Sequence, residues 1–215
     1  MRYFILIILF FSIHYQSFAQ SCYDRDRAFL AVKEMKEKGV LIIRLDTKDI
    51  KIKTYQRALA FSKLKEKKRK RIQKMLDETI SERDAINLTM VKGFQDSFSF
   101  CPVFICFDTS SNTLKAGVRK GIFYDKNLKK APEIELPDSA SIFVVYYHDR
   151  SGDYPSDGLI LRRLRGLLEE PFPKFTAIRQ SFVYDINTPR IAKAAIQIDR
   201  RLQRLYNRSE SKIKD

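Results

Sequence analysis

Apolar residues in this chain come in two patterns: short unbroken runs, and long segments where they recur every three or four positions. Ala28, Phe29, Val32 and Met35 or Lys36 share one face at helical spacing, which predicts a helix over Asp24–Lys38. Asp24 and Asp26 suit its first turn, and Gly39 is a natural stop just past its end. Val40–Leu45 follows at once as a run apolar on both sides, expected of a strand covered on both faces. From Ile50 to about Phe94 there is no proline, and no glycine before Gly93. This predicts one very long helix, or two nearly continuous ones, started by Thr47 or Asp49. Ile72, Met75, Leu76, Thr79, Ile80, Ile86, Met90 and Phe94 give its second half a stripe of 3.6-residue period. The first half offers Tyr55, Leu59 and Leu64, then the block Lys65-Glu66-Lys67-Lys68-Arg69-Lys70-Arg71. No apolar stripe passes through that block, so the helix is expected to project there or to break into a turn.

Phe98–Phe107 is the strongest strand signal, with Pro102 marking a bulge or an edge position near its start. Asp108–Asn112 reads as a turn, Gly117–Tyr124 and Ile134–Leu136 as short strands, and Ala140–Tyr147 as a long one. His148–Gly158 is a polar loop. Leu159–Leu161 and Phe175–Val183 are two further strands, expected to be neighbours. Thr188-Pro189 opens a last helix, with Ile191, Ala194, Ala195, Ile198, Leu202, Leu205 and Tyr206 on its apolar face and a frayed tail from Asn207. The helical crossover between the Val40 and Phe98 strands predicts that they are parallel neighbours, and the later strands are close enough for antiparallel pairing. The expected fold is mixed α/β (α+β). A single domain over residues 20–215 holds a mixed central sheet of five to six strands. A long basic helix forms the crossover, and a C-terminal helix packs on the sheet.

The N-terminus has the form of an export signal. Arg2 precedes the apolar stretch Tyr3–Phe11, and Ser17-Phe18-Ala19 has the small-x-small form cut after Ala19, leaving Gln20. The stretch is too short to span a bilayer. Residues 1–19 are therefore read as a cleaved signal peptide and the rest as exported, periplasmic or secreted, with no transmembrane helix after cleavage. Cys22 follows a small residue, Ser21, but Ala19 is not the large aliphatic residue that lipidation requires.

Charge adds a second expectation. The formal net charge is +15, and between Arg44 and Lys74 thirteen Lys and Arg face three acids. A second basic stretch runs from Arg190 to Lys214. Such fields attract polyanions, and export argues for an envelope component over intracellular nucleic acid. Lys65, Lys67, Lys68, Arg69, Lys70 and Arg71 are the candidate contacts, against the plain alternative of a solvated helix face.

Catalytic chemistry finds few carriers. His148 is the sole histidine left after the signal, which excludes multi-histidine metal sites and HExxH. Glycine-rich phosphate loops, GxSxG and CxxC are all missing, so a thioredoxin-type redox site is not expected. Cys101 and Cys106 are too far apart on an extended run to bond each other, and odd spacing sends them to opposite faces. They read as buried hydrophobes, with Cys22 as the only disulfide partner for either. Asp149, Asp153 and Asp157 lie in a loop of turn formers and are the candidate ion or ligand carboxylates, without the spacing of an EF-hand. Asn87-Leu88-Thr89 fits a glycosylation sequon inside a predicted helix and is discounted.

The signal ending in Ala19-Gln20, Gly39-Val40-Leu41-Ile42-Ile43-Arg44-Leu45, the Lys-rich helix, Phe98-Ser99-Phe100-Cys101-Pro102-Val103 and Pro171-Phe172-Pro173 together resemble a family of uncharacterised exported bacterial proteins. The resemblance covers most of the mature chain and implies localisation and a single fold, with no activity to transfer. The expected function is a non-catalytic binding module for an anionic envelope component or an envelope protein, without cofactor or metal. The alternative is an envelope hydrolase using carboxylates of the 149–157 loop, with or without a metal.

Overall fold

Helix gives way to strand at Gly39 with no intervening loop. A Cβ there would overlap the backbone carbonyl of Met35, so only glycine lets the chain turn directly out of the helix. In a computed structural model describing residues 23–61, 64–149, 156–166, 168–178 and 188–212, this helix is α1 (residues 23–38) and the strand is β1 (Gly39–Leu45). Two helices follow, α2 (Asp49–Leu59) and α3 (Glu66–Ser97), then β2 (Val103–Phe107), a 3-10 turn (Asp108–Ser110) and the short α4 (Ser111–Lys115). The chain ends in β3 (Ser141–His148), β4 (Gly158–Arg163), β5 (Phe175–Ala177) and α5 (Thr188–Ser211).

The five strands form one mixed sheet in the order β2-β1-β3-β4-β5. β1 runs parallel to both β2 and β3, with Leu41 opposite Val103 and Phe143. β4 pairs antiparallel with β3, and β5 with β4. The crossover between β1 and β2 is the α2–α3 pair, and β2 is an edge strand with Pro102 just before it.

Strand alternation divides the core in two. Leu41, Ile43, Leu45, Phe143 and Val145 point to one face, where α1, α3 and α5 pack on them through Val32, Met90, Phe94, Ala195, Ile198 and Leu202. Val40, Ile42, Cys106 and Val144 point to the other, covered by Leu114 of α4 and by Phe123 and Leu136 from the segment between α4 and β3. Both faces of β1 are thus buried, which explains its unbroken apolar run. α3 and α5 cross closely at Gly93, where a Cβ would lie 3.2 Å from Cα of Ala192.

Of the two alternatives for the long helical region, the pair of helices is the one formed, and several other local expectations change. The break precedes the basic block, which forms the first turns of α3. The Phe98 run becomes a strand only at Val103. Before it, Ser99 and Phe100 donate their N–H groups to Asp199 of α5 at 2.8 and 2.9 Å instead of to a neighbouring strand. Gly117–Tyr124 and Ile134–Leu136 touch only through isolated bridges, such as Lys120 to Glu135, and part of the expected turn at 108–112 opens α4. α5 continues through Asn207 to Ser211 with Ser209 buried, so that end is ordered helix. The predicted signal, Cys22, Asp153 and the end of the Phe175–Val183 run lie outside the described residues.

Candidate functional site

The basic block occupies the tip of the α2–α3 hairpin, and its six cations are not equivalent there. Arg69 turns back: its guanidinium donates to the carbonyls of Leu59 at 2.9 Å and Phe61 at 3.3 Å. It thereby supplies a donor to the Leu59 carbonyl at the end of α2 and ties that end to the turn through Phe61. Lys70 lies 3.7 Å from Glu66 one turn away. Lys65, Lys67, Lys68 and Arg71 are exposed and form no ion pair among the described residues. Phe61 stands beside them, 72% exposed, in the turn joining the helices.

This placement works against helix stability. The N-terminus of a helix carries the positive end of its dipole and favours acids. α3 offers Glu66 alone in its first turn, no side chain caps its start, and Lys65, Lys67 and Lys68 crowd it. The charges and the dipole therefore add, concentrating positive potential at a point that projects from the sheet. Local helix stabilisation does not account for such an arrangement.

A second assembly lies at the carboxyl ends of the parallel strands, and sequence reasoning missed it. Each parallel strand is followed at once by an aspartate: Asp46 after β1, Asp108 after β2 and Asp149 after β3. The connections from β1 and β2 leave to opposite faces of the sheet, the topology that opens a crevice at strand ends. Asp108 Oδ1 accepts from the Thr47 hydroxyl at 2.8 Å, the Thr47 N–H at 3.2 Å and the Thr109 N–H at 2.9 Å. Asn87, buried on α3, donates to the Asp46 carbonyl at 2.9 Å and accepts the Asp46 N–H at 3.3 Å. That amide is committed inside the fold, which removes the glycosylation reading. Lys48 takes a left-handed conformation, φ 49°, unusual without glycine, with its N–H held by Asp46 Oδ1 at 2.8 Å. Asp-Thr-Lys directly after a buried strand was the signal available in the sequence.

The 149–157 loop borders this end of the sheet. Asp157 accepts a hydrogen bond from the Tyr147 hydroxyl, and burial together with that carboxylate raises the tyrosine well above its ordinary range. Of the loop's three carboxylates, Asp153 lies outside the described residues; among those described, no cluster of three metal-binding side chains occurs. Cys101 and Cys106 are buried and unbonded to each other, one in each core cluster, and burial pushes both thiols up to about 12. No helix among the described residues is long and apolar enough to cross a membrane. No known family model, curated protein or solved structure matches this chain.

Proposed function

We propose that the protein is an exported, non-catalytic module that attaches to an anionic surface of the cell envelope through the tip of the α2–α3 hairpin. The observation that carries this is the crowding of Lys65, Lys67 and Lys68 at the positive end of α3, beside Arg71 and the exposed Phe61. Lys and Arg near an anionic membrane contribute about 1 kcal/mol each, so the four unpaired cations supply reversible attachment. Phe61 adds an apolar contact of the kind that seats a basic segment in the headgroup layer. Arg69 holds the hairpin end closed while the others face outward.

Export is the second half of the proposal and rests on the Arg2, Tyr3–Phe11 and Ser17-Phe18-Ala19 pattern. Co-sedimentation with anionic and with neutral vesicles tests the surface. Binding to anionic vesicles alone, lost on replacing Lys65, Lys67, Lys68 and Arg71 by Gln, supports it. Equal binding to neutral vesicles, or unchanged binding by the variant, refutes it.

A further inference from the structure

The crevice at the strand ends encloses a cavity of about 150 Å³, room for a ligand of a few heavy atoms. Its wall holds opposite charges that form no direct ion pair with one another among the described residues. On one side Arg44 lies with its guanidinium 3.9 Å over the Tyr146 ring, and Arg162 approaches the same ring at 5.1 Å. Arg44 forms no ion pair among the described residues. Burial and then the neighbouring Arg162 disfavour its charge, and together they outweigh the attraction of Tyr146 and Asp108, so it gains from an incoming anion. A cation resting on a ring face can still use its edge donors, which suit a carboxylate.

On the other side are Asp46 and Asp108. Each has Oδ1 engaged by backbone N–H groups, and each Oδ2 is without a hydrogen bond among the described residues. Thr47 and Thr109 pin Asp108, and the ring holds Arg44, so the opposite charges are kept from closing on each other. The remaining cations of the wall already have partners: Lys48 meets Glu82 at 3.0 Å and Arg83 meets Asp84 at 2.8 Å. A simple anion entering the cavity gains Arg44 but meets two carboxylates. A metal cation gains the carboxylates but meets Arg44. A molecule carrying both charges satisfies both walls.

We infer that this cavity binds a small zwitterion of the α-amino-acid class, its carboxylate on Arg44 and its ammonium group on Asp108 and Asp46. The site is separate from the hairpin tip and stands whether or not the tip binds membranes. Titration calorimetry on the mature protein with a panel of α-amino acids, acetate, methylamine and magnesium chloride tests it. At least one amino acid is expected to bind about ten-fold or more tighter than acetate or methylamine. Asp108→Asn keeps an oxygen for Thr47 and Thr109, and is expected to weaken that binding about ten-fold while leaving acetate binding equal or tighter, because one repelling carboxylate is gone. Arg44→Met should weaken it to a similar degree, and carries the test if the Asp108 variant does not fold. Acetate or magnesium binding as tightly as every amino acid overturns the inference. So does the absence of amino-acid binding at about 10 mM.

Discussion

The two halves of α3 share one helix and follow different rules. From Leu76 onward, Thr79, Ile86, Met90, Val91 and Phe94 are buried against the sheet and α5. Before Leu76 the helix touches α2, and most of its side chains face solvent. The buried half has an apolar stripe and a glycine where α5 crosses. The exposed half has neither, and holds cations where the dipole disfavours them. One half is shaped by packing and the other by its charge, so substitutions should separate stability from surface binding along a single helix.

The largest effect belongs to the buried half. Phe94→Ala should lower unfolding free energy by about 3–5 kcal/mol, read by chemical denaturation, because Phe94 is fully enclosed between sheet and helices. Equal loss from Lys67→Ala at the tip would erase the distinction. Next is Asp199→Ala, which strips the acceptor from two backbone N–H groups and should cost about 1–3 kcal/mol. A neutral result there would mean that water replaces the carboxylate.

The thiols sharpen the same contrast between interior and surface. Cys101 and Cys106 titrate near 12 when folded and near 9.0 when unfolded. A raised folded value means the unfolded chain releases its protons first. Their contribution to stability is therefore full below pH 9.0 and is lost as pH rises toward 12. In a Cys22→Ser protein, neither thiol should react with a thiol reagent at neutral pH until denaturant is added. Rapid labelling of the native protein would show that these positions open to solvent.

What could be read from the sequence followed the range of the interactions. The α5 face and the second half of α3 are set by residues three or four apart, and Ile191, Ala194, Ile198 and Leu202 were named correctly from spacing alone. β1 was legible because burial on both faces leaves no polar position to blur it. Residues 98–102 were misread because their partner, Asp199, lies a hundred positions away. The strand-end cavity was missed for the same reason: Thr47 meets Asp108 across 61 positions, and Asn87 meets Asp46 across 41. At the tip, charge was visible in sequence, but not that Arg69 closes α2 while its neighbours face outward.

Position, not total charge, is the central claim, and it can be tested against a control of equal charge. Lys193, Arg200, Arg204 and Arg208 of α5 are also exposed. Replacing Lys65, Lys67, Lys68 and Arg71 by Gln removes the same charge as replacing those four. Co-sedimentation with anionic vesicles across a salt series should show the tip variant losing binding and the α5 variant keeping most of it. Equal losses from the two variants would contradict the account, because attachment would then follow net charge alone.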